Sequence, residues 1–196
     1  DISDERRLDY IDIIQNSCNQ LLNIVNDIVE ISKIETGNIE IRNTKVEVNP
    51  ILIRSQRTFQ MATQKKGLEF EISLLDNDKY SAVYADPTKL EQVIANLLIN
   101  AIKFTAQGKI TVGAHFDNGE IVFQVSDTGI GIAKENFQYI FERFSQVELS
   151  TARKYGGNGL GLAISKAYID KMNGKIWVES ELGKGSTFYF TLQAMS

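Results

Sequence analysis

The sequence predicts an α+β fold: a two-layer sandwich of a mixed, mostly antiparallel sheet with helices on one face, preceded by a long N-terminal helix. Three observations carry this. Ile11, Ile14, Cys18, Leu21, Val25 and Ile28 recur at alternating spacings of three and four, in a stretch free of glycine and proline. From residue 38 onward, helical and strand-like patterns interleave. The strands KITVGAHF and EIVFQVSD, and later KIWVES and STFYFTLQ, are separated by turn residues, so they pair as antiparallel hairpins.

Residues 4 to 36 read as one helix, with Leu22 and Val29 widening its apolar stripe and Gly37 as its stop. At 1.5 Å per residue it is roughly 50 Å long, more than a small domain covers. It reads as a bundle helix whose partners lie elsewhere. Cys18 lies on the seam and is expected to be core rather than nucleophile. NIEIRNTKVEV suggests a short strand. Pro50 opens a helix that runs to about Lys66 and ends at Gly67. LEFEISL and SAVYA read as strands. Asp86 is placed to cap a helix with Pro87 at its first position, reaching about Phe104. The first hairpin turns at Asp117-Asn118-Gly119. A short helix from about Lys134, an aperiodic polar stretch over 145–158 and a helix over Leu160 to Met172 follow. The second hairpin turns across Leu182 to Gly185.

The 196 residues suffice for one domain with an appendage, and 43% hydrophobic with 23% charged residues is ordinary for a globular chain. A net charge of -4 points away from nucleic acid. A single cysteine excludes an internal disulfide and a multi-cysteine metal site. No apolar run approaches the roughly 20 residues that span a bilayer, and no leader pattern is present. The chain starts at Asp1 and reads as a piece of a longer one. His115, the single histidine, sits at a strand end with no second ligand nearby, so a zinc site is not expected.

Four stretches carry chemistry. In DPTKLEQVIANLLINAIKFT, Leu90, Val93, Ile94, Leu97, Leu98, Ala101 and Ile102 make an apolar face, while Asn96, Asn100 and Lys103 form a separate column one turn apart. Two amides and an ammonium can hold a phosphate–metal unit, since magnesium keeps most of its waters and takes few protein ligands; a solvated polar stripe is the plain alternative. DTGIGI ends a strand with a carboxylate, then offers glycines that allow close backbone approach. Asp127 can accept from an exocyclic amine, with Ile130 and Ile132 as apolar wall; a simple glycine turn with a solvated acid is the alternative. YGGNGLGLAISK leads Gly156, Gly157, Gly159 and Gly161 into a helix start, which suits an anion. It lacks the Gly-Lys-Ser/Thr ending of a Walker loop, and a flexible hinge is the alternative. SQVELSTARKYGGN has the length and polarity of a lid, from which Arg153 and Lys154 could reach phosphates.

Taken together and in this order, these stretches closely resemble the catalytic, ATP-binding domain of bacterial sensor histidine kinases, in the style of hybrid kinases. That fold is shared with gyrase, the ninety-kilodalton heat-shock chaperones and mismatch-repair ATPases. NLLINAIKFT is similar to the family's asparagine motif, DTGIGI to its first glycine motif, FERF to its phenylalanine motif, GGNGLGLAISK to its second glycine motif and GSTFYFTL to its closing strand. LLNIVNDIVEISKIETG resembles the second helix of the dimerisation and histidine-phosphotransfer domain. The resemblance thus implies two domains, an incomplete helical one over 1–37 and the catalytic one over 38–196.

It also implies roles. Asn100 would bind magnesium bridging the phosphates of ATP, supported by Asn96. Lys103 would touch phosphate, and Phe104 would pack near base or ribose. Asp127 would bind the adenine amino group, with Gly129 and Gly131 passing close to the base and Ser186 near the carboxylate through water. Gly157, Gly159 and Gly161 would shape the lid, Arg143 and Lys154 are further phosphate contacts, and Ile132, Leu160 and Leu162 complete the nucleotide contacts. Asn96, Asn100 and Lys103 would form the catalytic set. Expected partners are ATP, a phosphoacceptor histidine helix, a receiver domain and a second copy in the full-length protein, with no nucleic acid. The implied location is cytoplasmic, whether or not the full-length protein is anchored in the inner membrane.

The chain departs from the family pattern at Asn158, where threonine is common, and at Gln193, where proline often ends the last strand. The larger departure is the phosphoacceptor. The family's histidine precedes an acidic residue on the first bundle helix, whereas His115 lies in the other domain. The chain is therefore expected to bind ATP without phosphorylating itself on the usual residue, the first helix lying upstream of Asp1. The alternatives are a hydrolysing ATPase or serine kinase of the same fold, and a non-catalytic nucleotide-sensing or dimerising module. Hydrolysis in the gyrase-like relatives uses a glutamate four residues before the magnesium asparagine, where this chain has Asn96.

Overall fold

The computed structural model describes residues 4–76, 79–145 and 159–196. The chain divides into two compact units, Asp1–Ile39 and Glu40–Ser196. The first is the helix α1, Asp4–Glu35. Its seam residues Ile11, Ile14, Leu21, Val25 and Ile28 are all more than half exposed. Cys18 is exposed with them, so no described part of this chain covers it. The seam periodicity is real, but within this one chain it faces solvent.

Among the described residues, the second unit is a seven-stranded sheet with three helices packed on it. Its elements are β1 (Thr44–Glu47), α2 (Val48–Lys65), β2 (Glu69–Ser73), β3 (Ala82–Ala85), α3 (Pro87–Phe104), β4 (Lys109–Asp117) and β5 (Glu120–Asp127). There follow a 3-10 turn (Lys134–Asn136), α4 (Gly161–Lys171), β6 (Ile176–Glu181) and β7 (Gly185–Met195). Several boundaries shift from the sequence reading, most of all around β1 and α2. The strand over 38–48 shrinks to Thr44–Glu47, and α2 begins at Val48, two residues before Pro50. Proline is tolerated there because the first-turn N–H groups of a helix have no intrahelical acceptor.

The strand order is β1-β3-β7-β5-β4-β2, with β6 pairing β7. The β4–β5 and β6–β7 hairpins are antiparallel as expected. The β2–β4 pair is parallel and makes the sheet mixed. Parallel strands need a crossover, and here β3 and α3 lie between them in sequence.

Alternation sets the core. Ile121, Phe123 and Val125 of β5 and Phe188, Phe190 and Leu192 of β7 are buried, and Phe123 stacks on its register partner Phe190 with centroids 4.6 Å apart. Leu90, Val93, Ile94, Leu97 and Leu98 of α3 are at most 1% exposed, and α3 packs on α2, α4, β4 and β5. Asp86 caps α3 as read from the sequence, accepting from the N–H groups of Thr88 (3.0 Å) and Lys89 (3.1 Å). Its other oxygen accepts from the Arg42 N–H at 3.0 Å.

Candidate functional site

The site lies where α3 ends, β5 ends and the β6–β7 hairpin turns. Asp127 closes β5 with its side chain on the buried face shared with Phe123 and Val125, and it is 8% exposed. Its Oδ1 accepts from the Gly129 N–H at 2.8 Å. Burial pushes the carboxyl above its ordinary range, while backbone N–H donors from Gly129 and Ser186 pull it back down, and burial prevails. A buried carboxylate held by backbone donors, next to glycines, is a built acceptor.

The loop after it is wedged between two backbones. An added Cβ at Gly129 would meet the Phe104 carbonyl oxygen at 2.5 Å, and one at Gly131 the Glu181 carbonyl oxygen at 2.1 Å. Gly131 also has φ +69, in the left-handed region that favours glycine. Hydrogen bonds hold the same arrangement. The Ile130 N–H donates to the Phe104 carbonyl (3.4 Å), the Gly183 N–H to the Ile130 carbonyl (2.7 Å) and the Ile132 N–H to Ser180 Oγ (2.7 Å). The glycines thus let DTGIGI thread between α3 and the hairpin, a structural duty the sequence reading assigned only to ligand approach. Ile130 is 40% exposed and Ile132 half-buried.

On α3, Asn96, Asn100 and Lys103 are each half-buried, on the column read from the sequence. Lys103 Nζ lies 4.6 Å from the centre of the Phe104 ring, so these two candidates form one cation–π pair. Burial lowers the Lys103 pKa. Asn96 does something unforeseen. Its amide donates to Ser165 Oγ of α4 at 2.9 Å, and an added Cβ at Gly161 would meet its Oδ1 at 2.3 Å. Asn96 therefore braces the start of α4 against α3.

That start presents the first-turn N–H groups of Gly161 and Leu162, with no side-chain cap from Leu160. Leu160 is fully buried, whereas Gly161 and Leu162 are half-exposed. Gly159 sits against the backbone of Phe144 and Ser145. Phe141, of the FERF segment, packs edge-on against Phe188, and Arg143 is exposed. Lys154 and Gly157 lie outside the described residues, as do Arg153 and Gly156. Ser186 is 6% exposed and stands opposite Asp127 in the β5–β7 register. Sequence reasoning missed Ser180, whose hydroxyl joins the DTGIGI loop to the hairpin. The structure puts Ser180 on the face of Val178, but nothing in KIWVES sets it apart from any polar strand residue.

Residues 85–196 match the family described as histidine kinase-, DNA gyrase B-, and HSP90-like ATPase. The chain belongs to that family. The matched span of this ATPase family contains every element of the site just described. Among curated relatives, the chain is 38% identical to the sensor histidine kinase GacS of Pseudomonas protegens over 95% of its own length and 21% of that protein. The chain thus spans about a fifth of the length of the first two curated relatives it matches. Among solved structures it is similar to full-length ShkA in complex with AMPPNP, at 29% identity and a TM-score of 0.84, over all of this chain and 40% of that one. It is also similar to the histidine kinase ThkA in complex with the response regulator TrrA, at 28% identity and a TM-score of 0.76, over 99% of this chain and 53% of that one. Among the described residues, no helix is long and apolar enough to cross a membrane.

Proposed function

We propose that this chain is the ATP-binding catalytic part of a two-component sensor histidine kinase, and that it delivers the terminal phosphate of ATP to a histidine outside residues 1–196. The observation that carries the reading is Asp127, a buried, backbone-held carboxylate at a strand end beside a glycine loop. An acceptor there suits the amino group of adenine, and the α3 column leads from it toward the phosphates.

Asn100 would hold magnesium through its amide oxygen, with phosphate and water oxygens completing the shell, which fits a cation that takes few protein ligands. Bound there, magnesium would neutralise phosphate charge. Lys103, over Phe104, would add a cation near the phosphates, and the start of α4 would direct N–H groups at them. In the transfer, a neutral imidazole nitrogen forms a bond to the terminal phosphorus as the bond to the bridging oxygen breaks and ADP leaves. This chain contributes positioning and charge rather than covalent chemistry. Asn96 is neutral and already donates to Ser165, so it is no base for activating water. That favours transfer over hydrolysis. Helix α1 would be the second helix of a dimerising phosphotransfer bundle over 1–37, with the catalytic domain over 38–196. An aspartate on a receiver domain would take the phosphate onward, in the cytoplasm where ATP is available.

The test is to label a longer form of the protein, reaching upstream of Asp1, with ATP carrying radiolabel on the terminal phosphate. Acid-labile, alkali-stable label on the protein is the expected result. ATP binding with no protein label would overturn the kinase reading.

A further inference from the structure

Three side chains stand in a row across three strands. Asp127 of β5 is in register with Ser186 of β7, and Ser186 with Ser180 of β6. The end of this row is tied down by hydrogen bonds. Ser180 Oγ accepts from the Ile132 N–H at 2.7 Å, lies 2.7 Å from the Gly185 carbonyl oxygen and 2.9 Å from Ser186 Oγ.

A serine hydroxyl has one proton to give and two lone pairs to receive with. The Gly185 carbonyl can only accept, so the Ser180 proton belongs there. The reverse choice would set two acceptors against each other at 2.7 Å. Ser180 must then accept from Ser186, whose single proton is thereby committed. What remains on Ser186 Oγ is lone pairs, beside a carboxylate that is also an acceptor.

We propose that Ser180 is a specificity-determining residue: by holding the Ser186 proton it turns the Asp127–Ser186 pair into an acceptor-only wall that selects a 6-amino purine over a 6-oxo purine. The inference rests on the nucleotide reading of the site. A 6-amino group donates to such a wall. A 6-oxo group brings a third acceptor to it and finds no proton. Ser180 is a positioning residue, since it acts through Ser186. Without it, the Ser186 hydroxyl swings free. It then donates to Asp127, blunting the acceptor, or to the 6-oxo group, welcoming the wrong base. Either outcome narrows discrimination.

The experiment measures the dissociation constants of ATP and inosine triphosphate, with magnesium, for the native chain and for S180A, S180T and S186A. Thermal melts show which variants are folded. The native chain is expected to prefer ATP, and S180A to lower the ITP-to-ATP ratio of dissociation constants about tenfold, the scale of one hydrogen bond to a buried group. S180T keeps the hydroxyl and should restore the ratio. S186A removes the Ser186 lone pairs from the acceptor wall without touching the bonds of Ser180 to Ile132 and Gly185, and should also narrow the ratio. It therefore carries the test if S180A fails to fold. A native preference for ATP that S180A and S186A leave unchanged, even with both nucleotides bound more weakly, overturns the proposal and leaves the adenine reading intact. A folded native chain that binds neither nucleotide overturns both.

Discussion

Replacing Asp127 by asparagine isolates the chemistry of the acceptor with almost no change in shape. In the native chain Oδ1 takes the Gly129 N–H at 2.8 Å, and the ionised carboxylate still has lone pairs to offer an incoming amine. Asparagine cannot satisfy both demands. If its oxygen keeps Gly129, its NH2 group meets the ligand's amine donor to donor. If it flips, the NH2 group meets the Gly129 N–H instead. The loss is one charge-assisted hydrogen bond in a buried setting, about 1.5–3 kcal/mol, which is roughly a 10- to 150-fold rise in the Kd for ATP. Calorimetric titration of both forms with Mg-ATP measures it.

The same pair has a pH signature. Burial raises the Asp127 pKa above the ordinary carboxylate range, so the ionised acceptor is lost as pH falls through that raised value. The native advantage over D127N should shrink there, at a higher pH than an exposed aspartate would give. Taking the difference between the two forms removes the titration of ATP itself. A D127N variant that binds ATP within twofold of native, or a gap independent of pH down to acid unfolding, would refute the assignment of Asp127 as the acceptor.

Gly131→Ala should cost both stability and nucleotide binding, because its methyl would meet the Glu181 carbonyl oxygen at 2.1 Å in a left-handed backbone; a lowered melting temperature with weakened ATP binding checks this. Asp86→Ala should lower stability by about 1–2 kcal/mol through the lost cap on α3, with the bond to the Arg42 N–H lost as well; urea unfolding measures it.

Much of this was legible because local chemistry decides it. The Asp86-Pro87 pair marks the start of α3 without help from the rest of the chain, and Asn118-Gly119 fixes one hairpin. The acid of DTGIGI stood out because a strand end has no structural need for it. What could not be read depends on distant partners. Cys18 looked like core because periodicity reports a face and not what covers it. The parallel pairing of β2 with β4 leaves no mark on either strand, and the Asn96–Ser165 bond joins residues 69 apart. Ser180 looked like any polar strand residue until the register set it beside Ser186. Nor does the sequence show that Gly129 and Gly131 are wedged between Phe104 and Glu181, since those contacts exist only once the hairpin is folded over the loop.

The place of β7 bears on how the sheet is made. It pairs with β3 on one side and β5 on the other, and its far end meets Ala82 and Val83. The β1–β3 pair and the β2–β4–β5 ladder therefore have no strand-to-strand link until β7 arrives between them. In vectorial synthesis the two flanks emerge first and the strand that joins them comes last. Until then each flank exposes an edge with unpaired N–H and C=O groups, the kind that captures other strands. The keystone of the sheet is also its latest part, so the flanks must wait for it without finding another partner.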